Sequence, residues 1–357
     1  MPTKTVVAMS GGVDSSVAAA LIMEKDHQCS GLTLRLHKNA DHENPHSGEN
    51  HNSGINNARL AAEKLGITHH VLDLTGEFHD KVILSFIETY EKGATPNPCI
   101  HCNRHIKFAF HHFNPHIPVF DHYATGHYAK VEKSGSRWLL KKALDSTKDQ
   151  SYVLFSLDQE TLARVIFPLG DLTKTEVRGI AKKKGLDYEK IEESQDICFV
   201  PDGDYGAFME QYTGKRCPPG DILDLNGMII GRHNGHVRYT LGQRRGLGTA
   251  LNRPAYVCRK DPMRNTVTLG PESSLYSKTL TADRINLIAC ENLEKPTKLK
   301  VKTRYQQKEY SAIALQTGED EIHIEFDEAQ RAFTPGQAAV LYDGDIVVGG
   351  GIIREVS

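Results

Sequence analysis

Ser10-Gly11-Gly12-Val13-Asp14-Ser15-Ser16 follows a short apolar run at 5–9 (TVVAM) and opens a stretch in which Val13, Val17, Ala20 and Leu21 recur at helical spacing. The order is strand, glycine turn, helix. In such a turn the glycines let the backbone approach a phosphate closely. The serines donate hydroxyls, and the first helical turn adds unpaired N–H groups with a favourable dipole. It is not the phosphate loop that ends in Gly-Lys-[Ser/Thr], because no lysine follows the glycines.

Outward from this loop the same alternation repeats. A second apolar segment at 28–36 (QCSGLTLRL) precedes a helical pattern on Ile55, Ala58, Ala62 and Leu65. Then come a strand at 69–74, a helix carrying Phe78, Val82, Phe86 and Tyr90, and a strand near 118–125. Strands alternating with helices predict an α/β fold, a parallel sheet covered on both faces, over residues 1–200. Residues 201–270 are rich in Gly and Pro, with short strand-like pieces at 254–260 (PAYVCRK) and 266–270 (TVTLG), and read as a small central β-rich domain. In residues 271–357 a period of two appears in KLKVKTRY, YSAIALQT and EIHIEF, and an Asp343-Gly344 turn joins two strands as a hairpin. This portion is expected to form an antiparallel β-barrel.

Composition narrows the class. With 357 residues, 39% hydrophobic and 25% charged, the chain is large enough for two or three domains and is not biased toward disorder. It has no apolar run of membrane-spanning length, and the apolar run at its start is too short for a secretory signal, so the cytoplasm is the expected compartment. Seven cysteines, an odd and sparse set, suit a reducing environment and point to catalytic or metal-binding thiols. Net charge is −2, but residues 232–260 and 295–308 contain no Asp or Glu. The first run carries Arg244 and Arg245, the second Lys302 and Arg304, so each is either a solvated face or a polyanion surface.

Two cysteine motifs follow. In Thr95-Pro96-Asn97-Pro98-Cys99-Ile100-His101-Cys102-Asn103-Arg104, Cys102 is expected in the first turn of a helix running toward Phe110, where the dipole would lower its pKa. Arg104 and Lys107 add positive potential. The Cys-x-x-Cys is also half a zinc site, but no second pair follows. The second motif is Glu193-Ser194-Gln195-Asp196-Ile197-Cys198-Phe199, in which Cys198 taken alone would be a small buried hydrophobe. The histidines His37, His42, His46 and His51 are irregularly spaced in a polar stretch, which reads as a solvated, mobile segment rather than a metal site.

Taken with ATGHYA at 124–129, KDQSY at 148–152, PLGDLTKTEVR at 168–178, YTLGQRRGLG at 239–248 and the segment from Thr334 to Ile353, these motifs make the chain resemble the MnmA/TrmU family of tRNA-specific 2-thiouridylases. The resemblance covers nearly the whole chain and implies an N-terminal PP-loop ATP pyrophosphatase domain of the adenine nucleotide alpha hydrolase type, followed by two tRNA-binding domains. It implies ATP-dependent replacement of the 2-oxygen of the wobble uridine by sulfur. The ATP site it implies is Ala8, Met9, Ser10, Gly11, Gly12, Val13, Asp14 and Ser15, with Leu34 near the adenine and Gly126, and with Mg²⁺ as the metal. It makes Cys102 the nucleophile and Cys198 the persulfide carrier, loaded by a sulfur-relay protein. It assigns Asn97, Pro98 and Cys99 to the target base, and His127, Lys148, Asp149, Gln150, Arg304, Tyr305 and Gln337 to tRNA.

This chain departs from the family in carrying Cys99 where many members have Asp, Leu34 where Met is common, and an unmatched segment at 37–54. With three cysteines, the same reaction through an iron–sulfur cluster on Cys99, Cys102 and Cys198 is the main alternative. Another PP-loop enzyme acting on a small molecule, or a non-catalytic RNA-binding module, would account for only part of these motifs.

Overall fold

The computed structural model describes residues 3–25, 28–37, 51–110, 117, 119–186, 197–200, 203–249 and 254–356, the side chains of 51–53 excepted. The first unit is a five-stranded parallel sheet. Its strands are β1 (Lys4–Ala8), β2 (Gln28–Arg35), β3 (Thr68–Asp73), β4 (His122–Ala124) and β7 (Val165–Ile166), in the order β3-β2-β1-β4-β7. On β1, Val6 joins the buried cluster on one face and Val7 the cluster on the other, as a strand covered on both sides requires. The connections are helical: α1 (Val13–Met23) follows β1, and α2 (His51–Leu65) leads to β3. The predicted helix over Phe78 to Tyr90 runs from α3 (Thr75–Phe78) through a π-helical turn at His79–Ile83 into α4 (Leu84–Glu91), and all four of its anchor residues are buried.

Chain order reverses about β1, since β2 lies on one side and β4 on the other. The carboxyl ends of β1 and β4 therefore border a crevice at the switch point, the customary place for a ligand in an open α/β sheet. The Ser10–Ser16 loop leaves one of these ends and Thr125-Gly126-His127 leaves the other.

A four-stranded sheet makes the central unit, with β8 (Gly220–Leu223), β9 (Ile229–His233), β10 (Tyr256–Asp261) and β11 (Thr266–Gly270) in the order β10-β11-β8-β9. The strand pieces expected at 254–260 and 266–270 are the antiparallel pair β10 and β11. The C-terminal unit is a closed antiparallel barrel of β12 (Tyr276–Leu287), β13 (Thr297–Lys302), β14 (Tyr310–Gly318), β15 (Glu321–Arg331), β16 (Ala338–Asp343) and β17 (Ile346–Val356), closed by the pairing of β12 with β17. The Asp343-Gly344 turn joins β16 to β17 as expected.

Two features escape the sequence pattern. β12 carries only Leu280 and Ala282 as buried apolar positions and is interrupted by register shifts, so its alternation is weak. A hairpin of the first unit, β5 (Lys130–Ser134) and β6 (Arg137–Lys141), extends the barrel sheet through Leu140 opposite Val347. One buried cluster accordingly runs from Val6 and Phe86 through Tyr152 and Phe155 to Val340, Tyr342 and Val347, tying barrel and parallel sheet together. The histidine-rich stretch at 38–50 and residues Glu193 to Asp196 lie outside the described residues; of its histidines, His37 sets its ring edge-on to Phe78 at 4.9 Å.

Candidate active site

The loop after β1 leaves the first N–H groups of a helix without a side-chain cap, an arrangement that suits an anion. Gly12 caps α1 in an extended conformation without any side-chain hydrogen bond to the helix. The serine hydroxyls organise the turn: Ser15 Oγ donates to Gly12 O (2.9 Å) and accepts from the Ser10 N–H (3.2 Å), while Ser16 Oγ also donates to Gly12 O (3.1 Å). Gly126, from the loop after β4, lies flat against this turn. A Cβ there would stand 2.9 Å from both Asp14 C and Ser15 N, so only glycine permits the two loops to meet. Leu34, half-buried near the end of β2, sits at the carboxyl edge of the same sheet.

Asp14 is not solitary. Lys174 Nζ donates to both of its carboxylate oxygens at 2.8 Å, and Tyr128 Oη donates to Oδ1 at 2.9 Å. Lys174 opens α8 (Lys174–Lys184), whose start is fixed by a reciprocal capping box between Thr173 and Glu176 and by a hydrogen bond from the Lys174 N–H to Asp145 (3.0 Å). A lysine 160 residues later in the chain is thus held on the acidic residue of the loop. Neither Lys174 nor Tyr128 was assigned a role from sequence. The Thr173…Glu176 spacing inside PLGDLTKTEVR is the signal that announces the helix start.

The cysteines form a second centre. α5 (Pro98–Cys102) begins with Pro98 and passes into a π-helical turn at Asn103–Lys107. Cys99 is exposed in its first turn and Cys102 is buried at its end. Asn103 Nδ2 pins the turn by donating to Val153 O at 3.0 Å. The expected lowering of the Cys102 pKa is reversed: the helix starts at Pro98, so Cys102 lies past its positive end. Burial drives the thiol up to about 12, against the pull of Lys107. Cys198, although exposed, is surrounded by enough protein that desolvation lifts it to about 11, again with Lys107 opposing. Burial also works against the charge on Lys107, but its coupling to Cys102, Cys99 and Cys198 outweighs this and holds its pKa above the ordinary range. All three cysteines of the two motifs therefore share the field of one half-buried lysine.

Soft thiolates are the right donors for an iron–sulfur cluster, and Cys99, Cys102 and Cys198 lie near enough to one another to interact electrostatically. Among the described residues no three His, Cys, Asp or Glu side chains converge as a metal site, and the Lys107 cation stands among the thiols.

The residues expected on the RNA side divide. His127 accepts or donates at Thr125 Oγ1 (2.7 Å), and burial, helped by Lys107, lowers its pKa to about 3, so it is a neutral imidazole. Asp149 spends its carboxylate on the Ala143 N–H (3.0 Å) and Ser151 Oγ (2.8 Å), and Gln150 accepts from the Tyr128 N–H (2.9 Å), so both order the loop around Lys148. Tyr305 keeps a partly exposed ring close enough to Cys99 for the two to interact; burial first, then Asp149 and Cys99, raise its hydroxyl to about 12. Arg304 Nη2 is held by Ala332 O and Thr334 Oγ1, each at 2.9 Å, and Gln337 donates to Thr95 O and Pro96 O. Of the acid-free run at 232–260, Arg238 is bound to Asp204 and Glu210, whereas Arg244 and Arg245 are exposed.

Three family models match successive parts of the chain. Residues 3–202 match the tRNA methyl transferase HUP domain, 206–271 the tRNA methyl transferase PRC-barrel domain, and 277–353 the aminomethyltransferase beta-barrel domain. The chain is 45% identical over 355 residues to a tRNA-specific 2-thiouridylase MnmA of Acetivibrio thermocellus, covering 98% of this chain and 99% of that protein. The chain belongs to the MnmA family of tRNA-specific 2-thiouridylases. The MnmA of Clostridioides difficile is 44% identical over 357 residues, with 99% of each chain covered. The three-domain plan of this MnmA-family chain, a HUP sheet, a PRC-barrel and a closed six-stranded barrel, is the architecture its sequence pattern predicted. No helix among the described residues is long and apolar enough to cross a membrane.

Proposed function

We propose that this chain is an ATP-dependent tRNA sulfurtransferase that replaces the 2-oxygen of the wobble uridine with sulfur. One observation carries the reading. Gly126 and His127 are consecutive, so their Cα atoms lie about 3.8 Å apart; Gly126 rests on the Asp14–Ser15 backbone, while His127 shares the field of Lys107 among the cysteines. This adjacency supports a reading in which the phosphate loop and the thiols serve one reaction.

The uracil 2-oxygen is a poor leaving group. Attack of that oxygen on the α-phosphorus of ATP forms an adenylated uridine and releases pyrophosphate. The Ser10–Ser16 loop and Lys174 stabilise the departing charge by donors already in place. Mg²⁺ arriving with the triphosphate would be held by Asp14 in exchange for Lys174, freeing that ammonium for the phosphates, and would neutralise phosphate charge.

In the sulfur step, a persulfide on Cys198, loaded by a sulfur-relay protein, supplies the incoming sulfur. Cys102 attacks the carrier sulfur of Cys198. A Cys102–Cys198 disulfide forms, the terminal sulfur leaves as the nucleophile toward C2, and AMP is expelled. An external thiol then reduces the disulfide. Lys107 stabilises the thiolate as Cys102 loses its proton. His127, Lys148, Asp149, Gln150, Arg304 and Tyr305 form the RNA side, Asn97, Pro98 and Cys99 the base side, and the free thiols suit the cytoplasm.

Product analysis tests the reading. Turnover should give AMP and pyrophosphate, and only with a tRNA bearing uridine at the wobble position. ADP and phosphate, or equal turnover with a wobble cytidine, would refute uracil adenylation. Cys102→Ser and Cys198→Ser should each abolish thiolation while ATP and tRNA binding persist.

A further inference from the structure

The segment that delivers Cys99 and Cys102 has no secondary structure of its own between the turn after α4 and Pro98. Pro96 and Pro98 donate no backbone hydrogen bonds. Its backbone is held instead by the turn before β16 of the C-terminal barrel. The Thr95 N–H donates to Pro335 O at 2.8 Å, and Gln337 Nε2 donates to Thr95 O at 3.0 Å and Pro96 O at 3.1 Å. Gly336, at φ +91, brings the two backbones together so closely that a Cβ would stand 2.8 Å from Thr95 O. The turn is in turn fixed from behind: Gln337 N–H donates to Thr334 O (3.1 Å), Gly336 N–H to Ile353 O (2.9 Å), and Ile353 N–H to Gln337 O (2.8 Å). Arg304 holds Thr334 from the other side at 2.9 Å.

We propose that Gln337 is a positioning residue: its amide fixes the Thr95 and Pro96 carbonyls and thereby sets where Cys99 and Cys102 stand. An amide nitrogen has two hydrogens, and the two carbonyls engage both. The barrel thus completes the thiol centre across 242 residues of sequence. What the positioned loop does rests on the thiolation reading; that Gln337 positions it does not.

The test uses the full chain and Gln337→Met, which keeps the length of the side chain and removes the donor. In free protein, without ATP or tRNA, Cys102 should react with iodoacetamide at least tenfold faster than in the parent, read peptide by peptide by mass spectrometry. Cys29 and Cys290, far from the loop in sequence, should label at the parental rate and so report that the fold is intact. In turnover, kcat for thiolation should fall tenfold or more while KM and Kd for tRNA change less than twofold. A rise in tRNA Kd with Cys102 labelling and kcat unchanged would overturn the proposal and make Gln337 an RNA contact. If Gln337→Met loosens every thiol alike, Gln337→Glu decides, because it keeps the size and polarity of the side chain and offers the two carbonyls no donor. Faster Cys102 labelling with parental Cys29 labelling supports the proposal, and unchanged Cys102 labelling refutes it. The alkylation readout involves neither ATP nor RNA, so it stands even if the thiolation reading fails.

Discussion

The buried thiol of Cys102 should be slow toward electrophiles in the resting protein, although family resemblance makes it the nucleophile. Its pKa is pushed up to about 12 by burial. Below both pKa values the thiolate fraction then lies about 3,000-fold under that of an ordinary thiol at about 8.5. The more basic thiolate is intrinsically more nucleophilic, and a Brønsted slope of about 0.4–0.5 recovers roughly 40-fold. The net expectation is alkylation about 100-fold slower than a model-peptide thiol at neutral pH, before any steric hindrance. Cys198, raised to about 11, should be slower than the model thiol by roughly one order of magnitude by the same arithmetic. The sign with pH follows: both rates should keep climbing well above pH 8.5, where an ordinary thiol has levelled off. Peptide-resolved iodoacetamide labelling between pH 6 and 10 measures this directly. Lys107→Met should slow both thiols further, because the lysine favours their thiolates. Labelling of Cys102 at neutral pH as fast as a free thiol, or levelling off below pH 8.5, would refute the burial argument and restore the helix-dipole expectation.

Gly126→Ala asks for about 0.5 Å of relief where its Cβ would meet Asp14 C at 2.9 Å, and should weaken ATP binding about tenfold, measured by nucleotide titration, while leaving tRNA affinity unchanged. Lys174→Met removes the cation on Asp14 and should lower the rate of pyrophosphate release about 100-fold in single-turnover assays; a change below twofold would make the pair merely structural. Neutralising the exposed Arg244 and Arg245 to Gln should reduce the slope of log K for tRNA against log salt by roughly 1–2, whereas an unchanged slope would make them a solvated face.

The sequence by itself determined what neighbouring residues can encode. The apolar run, glycine turn and helical spacing around Ser10–Ser16 specified a strand, loop and helix, and the observed β1 and α1 obey it because backbone and burial preferences act within one segment. The alternation in the last sixty residues did the same for the barrel hairpin β16–β17, but just before them it failed for β12, whose inward positions are too few and whose bulges break the period. Only the tertiary structure decided the chemistry of the thiols. Whether Cys102 sits at the positive start of a helix or buried at its end depends on what packs over α5, and packing reversed the sign of its pKa shift. Charge runs behave likewise. Arg238 lies in an acid-free stretch of sequence yet meets Asp204 and Glu210 in space. Lys174 on Asp14 and Gln337 on Thr95 are contacts over 160 and 242 residues. Such pairings carry no local signature, because they are set by how whole sheets and barrels dock, and docking is decided by the summed burial of faces drawn from the entire chain.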